Sequence, residues 1–371
     1  MKKIAFLITS KGWGGLEMNT IKLAKQFIQL KYEVSFISAK GTRTHNEAKA
    51  VFEKIITIEK PKKHFDFKGA RILSGFLKKE NIQNVFLTNN RDIEFISLAK
   101  RFFYKDLKIV YQQQMQVGVN KKDFIHTLRY KSLHAWISPL KYLKKEVLEK
   151  TRIPEEKIKV IPLAIDVNYF ANRLYNRKEA LQKLNLPDFN EPVIGIIGRI
   201  DPQKGQLFVI KAINELNKKN VKIQLLVFGS PTINEKEGEE YYEEMKNYVS
   251  TNNMGKYVHF REYTKDIKLF YDSVDIFAMA SLSEAFGMVT LEAMASGVVV
   301  IGGNKGGTPE ILANGKFGLV YELNNVAEFC EKTEWVLFHP QEVKAMTELA
   351  KEEVFKNYDE RKVAEKIAEL F

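Results

Sequence analysis

Two glutamates, Glu284 and Glu292, stand eight positions apart in the stretch Ser281 to Gly297. Paired carboxylates raise acid–base chemistry first. Eight residues along one helix turn about 800°, which leaves the two side chains about 80° apart and off a common face. The spacing fits better with Glu284 in a loop and Glu292 in an early helical turn. The Phe286-Gly287-Met288-Val289 amides between them would then face an anion at the helix mouth. The bland alternative is a solvated helix entrance.

Two cations bear on that choice. In Gly198-Arg199-Ile200-Asp201-Pro202-Gln203-Lys204-Gly205, Arg199 and Lys204 follow an apolar run and precede a helix start. Arg with its fork of N–H donors and Lys as a point charge suit a diphosphate. Carboxylates beside a diphosphate would repel it unless such cations compensate. A nucleoside diphosphate sugar matches the whole layout: hydroxyls, diphosphate, hydroxyls. One carboxylate would read the sugar and the other the ribose.

The elements that must hold these groups alternate. Val274 to Ala280 reads as a buried strand, Met288 to Ala295 as a helix with Gly297 at its C-terminal cap, and Val298 to Ile301 as the next strand. Strands are expected also at 193–198, 224–229 and 257–260, with helices at 205–216, 239–250 and 265–273. The acidic run Glu235 to Glu244 reads as an exposed loop and helix start. The first half repeats the architecture. Strands at 4–9, 34–38, 54–58, 84–88, 108–111, 136–138 and 159–161 alternate with helices at 17–30, 67–79 and 92–103. Such alternation implies parallel sheets covered on both faces, with ligands beyond the carboxyl ends of the strands.

After the first strand comes Ser10-Lys11-Gly12-Trp13-Gly14-Gly15. A dinucleotide fingerprint fails here, because Glu17 occupies the third glycine position and Glu33 precedes the second strand. What remains is a loop able to approach a phosphate or sugar, or a plain tight turn. Gln112 to Gln116, after a later strand, is either a sugar-binding amide cluster, Gln114 included, or an exposed loop.

Composition narrows the class. The chain has 371 residues, 45% hydrophobic and 28% charged, which suits a soluble protein of two domains. Cys330 is the only cysteine, so no intramolecular disulfide forms and the cytoplasm is the expected compartment. No run of eighteen apolar residues offers a membrane span, and Ile4 to Ile8 reads as a strand, not a signal peptide. The net charge of +12 admits an anionic substrate or an anionic lipid surface. No nucleic-acid module is present. Basic residues concentrate between Lys121 and Arg152, interleaved with Phe124, Leu128, Tyr130, Tyr142 and Leu143. This is either a solvated helix face or a surface for peripheral contact with an anionic membrane.

Taken in order, Gly14-Gly15-Leu16-Glu17, Val160 to Asp166, Gly198-Arg199…Lys204-Gly205, Glu284-Ala285-Phe286-Gly287…Glu292 and Gly306-Gly307-Thr308-Pro309-Glu310-Ile311 resemble the retaining glycosyltransferases of family 4 with the GT-B fold and its Glu-x7-Glu motif. The resemblance implies an α/β chain of two doubly wound, Rossmann-like domains facing across a cleft. Residues 1–166 would form the acceptor domain and 167–354 the donor domain, with the last helix, about 355–371, packing back on the first. It implies that Arg199 and Lys204 bind the diphosphate, Glu284 positions the donor sugar, and Glu292 binds the ribose. The Phe286 to Val289 backbone would cap the phosphates. Arg261, Glu262 and Tyr263 would flank the base, and Gly14 and Gly15 would close on the donor.

Two departures stand out. Family members often carry a His near the reacting sugar, where this chain has Gln112 to Gln116; His126 and His134 do not substitute. The boundary has Leu163-Ala164 where Asn-Gly is common. The expected activity is retaining hexosyl transfer from a nucleoside diphosphate sugar to a saccharide or lipid-linked hydroxyl, in cell-surface polysaccharide or glycolipid synthesis. No cofactor is expected, and with no Asp-x-Asp no essential metal. The enzyme would work in the cytoplasm, or at the inner face of the membrane. A sugar-nucleotide epimerase or an inert nucleotide-sugar binding subunit are the alternatives.

Overall fold

The computed structural model describes residues 2–62, 64–231 and 236–371. Glu235, the first residue of the acidic run, lies outside them. The chain forms two compact units, Met1–Leu163 with Glu360–Phe371, and Ala164–Asp359.

The first unit is built on seven parallel strands: β1 (Lys3–Ile8), β2 (Glu33–Ala39), β3 (Lys54–Ile58), β4 (Asn84–Leu87), β5 (Lys108–Gln112), β6 (Ala135–Ser138) and β7 (Ile158–Val160). Their order is β3-β2-β1-β4-β5-β6-β7, so the winding reverses between β1 and β4. The register sets Ile4 beside Val34 on one side and Asn84 on the other. Strand β1 carries no exposed side chain from Ile4 to Ile8, as a strand covered on both faces should.

The second unit has six parallel strands: β8 (Val193–Ile197), β9 (Gln224–Phe228), β10 (Val258–Arg261), β11 (Ile276–Met279), β12 (Val299–Gly303) and β13 (Leu319–Tyr321). Their order, β10-β9-β8-β11-β12-β13, reverses between β8 and β11. In both sheets the loops beyond these reversals are where a ligand fits. The fold class is α/β, as expected.

Local chemistry explains the boundaries. The helix Phe67–Lys79 starts where the Asp66 side chain accepts from Gly69 N–H. The helix Met288–Ala295 stops before Gly297, whose φ of +76° is cheap only for glycine. The expected helix 92–103 is instead an α-helix to Leu98 followed by a π-turn, Ala99–Phe103. The polar stretch after residue 166 holds two short helices, Val167–Ala171 and Arg177–Lys183, capped by Asp166 and Asn176. The last helix, Glu360–Ala368, lies on the helix Gly15–Gln29, with Gln26 donating to Glu360 at 3.0 Å.

Candidate active site

Three strand-end loops of the second unit converge. The loop after β8 runs from Gly198 to Gly205, where the Asp201 side chain accepts from Gln203 N–H at 2.8 Å and pairs with Arg199 at 2.7 Å. Buried Gln206 donates to the Arg199 carbonyl at 2.9 Å, which fixes that backbone. Gly205, at φ +73°, passes so close to the loop after β11 that a Cβ would lie 2.3 Å from the Ala280 carbonyl oxygen. Leu282 N–H then bonds the Gln203 carbonyl at 2.8 Å. Across this seam Lys204 Nζ meets Glu284 Oε2 at 2.9 Å, with side-chain exposures of 33% and 19%. The third loop, after β12, closes on the same glutamate: Gly307 N–H donates to the Glu284 carbonyl at 2.8 Å.

Phe286 is buried and packs toward Tyr358, so its ring belongs to the core. Gly287, at φ +88°, is the N-cap of the helix that begins at half-buried Met288 and Val289. The first-turn amides of a helix have no partners within it, and their dipoles favour an anion there.

Glu292 sits one turn into that helix and is fastened differently. Its Oε2 accepts from the Tyr271 hydroxyl at 2.8 Å. Burial first, and then the Glu292 charge, push the Tyr271 phenol well above its ordinary range, so it stays protonated. Tyr263, although its side chain is largely exposed, is shifted upward by partial desolvation of its phenol and then by the Glu292 charge. Tyr169 is raised by burial, with Asp266, Tyr263, Asp272 and Glu292 adding to it. A carboxylate among three tyrosines offers hydroxyl recognition beside flat aromatic surface. The short helix Lys268–Tyr271 is anchored behind it: buried Lys268 donates to the Phe170 carbonyl at 2.9 Å and lies 3.3 Å from Asp272.

The remaining expected residues fall as follows. Arg261 donates to the carbonyls of Leu184, Asn185 and Phe260 at 2.6 to 2.8 Å, so its guanidinium ties β10 to the segment before β8. Glu262 and Tyr263 are exposed beyond it. In the first unit, Gly14 N–H bonds Glu17 at 2.9 Å. A Cβ on Gly14 would meet only Glu17, at 3.9 Å, and one on Gly15 would meet nothing within 4 Å. Gln113 is structural, accepting from Trp136 and Ser138; Gln114 is half-buried. His126 lies against Asp123 at the start of its own helix.

Sequence reading missed Tyr271, Tyr169 and Asp92. Asp92 is 1% exposed and takes Thr9 N–H at 2.9 Å together with the Thr9 hydroxyl. Burial raises its carboxyl to about 6. Its position at the strand-order reversal of the first sheet was the signal available, since ligands gather there.

Residues 176–353 match the family of glycosyl transferases group 1. Relatives agree with that. A trehalose synthase of Thermococcus litoralis is 30% identical over 58% of this chain and 53% of its own length. The chain thus spans about half the length of that relative. A GDP-mannose-dependent phosphatidylinositol monomannoside mannosyltransferase of Mycolicibacterium smegmatis is 27% identical, over 58% of this chain and 56% of its own. Among solved structures, a glycosyltransferase from Rickettsia africae superposes with a TM-score of 0.86 at 23% identity, covering 100% of this chain and 97% of that one. Anabaena Alr3699/HepE in complex with UDP gives 0.85 at 17%, covering 100% and 99%. Both share the fold of two Rossmann-like domains.

Proposed function

We propose that this chain transfers a hexosyl-type sugar from a nucleoside diphosphate sugar to a hydroxyl of a saccharide or lipid-linked acceptor, with retention of anomeric configuration. The observation that carries the reading is the Lys204–Glu284 contact across the β8/β11 reversal. It sets a cation and a carboxylate side by side at a helix mouth, which supports reading them as a phosphate clamp and a hydroxyl acceptor. Lys204, Arg199 and the first-turn amides of the helix Met288–Ala295 would take the charge that grows on the departing diphosphate. Glu284 would hold the sugar hydroxyls and Glu292 the ribose. The acceptor hydroxyl attacks the anomeric carbon from the face the diphosphate leaves, and its proton passes to the leaving phosphate oxygen. Neither glutamate then shuttles a proton, and catalysis is positioning plus charge stabilisation. The two cations supply the positive charge that a divalent metal would otherwise bring. Among the described residues, no helix is long and apolar enough to cross a membrane. We place the reaction in the cytoplasm, in polysaccharide or glycolipid synthesis.

Support from relatives is in their names, one GDP-mannose-dependent and one bound to UDP. A thermal-shift screen against UDP-, GDP- and ADP-sugars selects the donor, because ligand raises the melting temperature by mass action. Incubation of labelled donor without acceptor then tests the chemistry. Slow hydrolysis agrees with transfer; an isomerised sugar nucleotide would mean an epimerase, and an unaltered donor a binding subunit.

A further inference from the structure

The first unit carries an apolar surface strip assembled from distant parts of the chain. Phe67, on the helix Phe67–Lys79, and Phe102, in the π-turn, form an edge-on ring pair at 5.2 Å although they are 43% and 60% exposed. Phe65, 55% exposed, precedes that helix. Glu94 ties this cluster to the helix Phe124–Lys131, accepting from Phe65 N–H at 3.1 Å and pairing with Arg129 at 2.9 Å. Ile125 lies four residues before Arg129, hence on the same helix face, and is 44% exposed; Phe124 beside it is 77% exposed. A ring pair held in water, tied through Glu94 to a helix that carries an exposed Phe-Ile step, is not a scatter of single apolar residues.

Charge decides what covers the strip. Its acidic groups are turned to local work. Asp66 caps its helix, Asp123 takes His126 N–H, and Glu94 faces Arg129 and His64. The cations interleaved with the rings, Lys62, Lys68, Arg71 and Arg101, are exposed. A second copy would bring the same positive face and be repelled. A layer with anionic headgroups above hydrocarbon complements both parts at once.

We propose that this strip docks the first unit on an anionic lipid surface, with Phe67, Phe102 and Phe124 entering the headgroup–acyl boundary. The inference stands apart from the glycosyl-transfer reading, because none of these residues belongs to the candidate active site. It also extends the sequence expectation, since Phe65, Phe67 and Phe102 lie outside residues 121–152 while Phe124 lies inside them.

Vesicle flotation of the full chain tests it, using phosphatidylglycerol mixed with phosphatidylcholine against phosphatidylcholine alone. The wild type should float with the anionic vesicles and be released by high salt. Phe124→Ser and the pair Phe102→Ser/Phe124→Ser should lower the bound fraction, the pair by about tenfold or more. The melting temperature should hold for Phe124→Ser, whose ring is mostly in water. Lys68→Glu/Arg101→Glu should erase the preference for phosphatidylglycerol. Wild type that stays unbound on both vesicles, or a Phe124→Ser chain that floats undiminished, overturns the proposal. So does a concentration-dependent dimer that the serine variants dissolve, because the strip would then be a self-interface.

Discussion

Each sheet reverses its strand order beside its first strand, and the two reversals are fastened in opposite ways. In the first unit, buried Asp92 accepts from Thr9, and Thr20 and Thr88 share a hydrogen bond of 2.7 Å next to them. Every partner is neutral and inside. In the second unit, Lys204 and Glu284 make an ion pair that solvent reaches, and Arg199, half-exposed, leans on Asp201. A buried carboxylate served by neutral donors fixes a backbone and gains nothing from a ligand. A solvent-reachable pair gives up little when its cation turns to a phosphate, because exposed ion pairs are worth about 0–1 kcal/mol. The first arrangement holds a loop in place; the second leaves its charged groups within reach of a ligand.

The largest expected effect follows from that difference. Lys204→Ala should lower turnover by about 10²- to 10³-fold, the cost of removing one preorganised group from a developing charge. Stability should change by no more than about 1 kcal/mol. Steady-state kinetics with a denaturant melt measures both, and near-wild-type turnover would remove Lys204 from the diphosphate.

The glycines sharpen the contrast. Gly205→Ala puts a Cβ against the Ala280 carbonyl at a φ of +73°, so about 2–4 kcal/mol of stability should be lost. Gly15→Ala meets no neighbouring atom within 4 Å, and a helix start tolerates alanine, so stability should hold. If Gly15→Ala nonetheless slows transfer, its missing side chain serves a ligand. Equal destabilisation by the two substitutions would break the comparison.

Asp92 makes the first unit's stability pH-dependent. Its folded value near 6 lies above the ordinary 3.8. Between those values the folded chain keeps a proton that the unfolded chain has lost. Stability should therefore fall as pH rises through this window and stay lower above it, by up to about 3 kcal/mol. Asp92→Asn keeps the shape without the buried charge and should flatten that slope in urea melts run from pH 4 to pH 7. An unchanged slope would place the titration elsewhere.

How far all this could be read beforehand depended on local signals. The strand Lys54–Ile58 and the helices Phe67–Lys79 and Met288–Ala295 were legible to the residue, because caps and apolar runs mark their ends. The three-residue β13 and the polar helix Arg43–Lys49 carry too short or too weak a pattern to stand out. In the site, residue type and spacing placed Arg199, Lys204 and Glu284 in loops at strand ends and Glu292 in an early helical turn. Arg261 looked like a ligand group, and its occupation by three carbonyls is a tertiary fact. Tyr271 was hidden for the opposite reason: a buried aromatic on a short helix reads as core until its hydroxyl is seen to reach Glu292.

That hydroxyl gives the smallest and most specific test. Tyr271 packs edge-on against Phe170 and Phe270 at ring distances of 5.6 and 5.1 Å. Tyr271→Phe keeps those contacts and removes the hydroxyl, with its bond to Glu292 at 2.8 Å and its longer one to the Val289 carbonyl at 3.3 Å. A hydrogen bond to a charged group is worth about 1.5–3 kcal/mol in place, and part of it is recovered when Glu292 finds another donor. The donor KM should therefore rise about five- to tenfold with kcat nearly unchanged, since the ribose is bound equally before and during transfer. The matching nucleoside diphosphate should lose affinity similarly as an inhibitor, while its 2′,3′-dideoxy analogue should not, having no hydroxyls for Glu292 to read. Equal losses for both nucleotides would show that Tyr271 only packs the second unit, and would leave Glu292 without its assigned ribose.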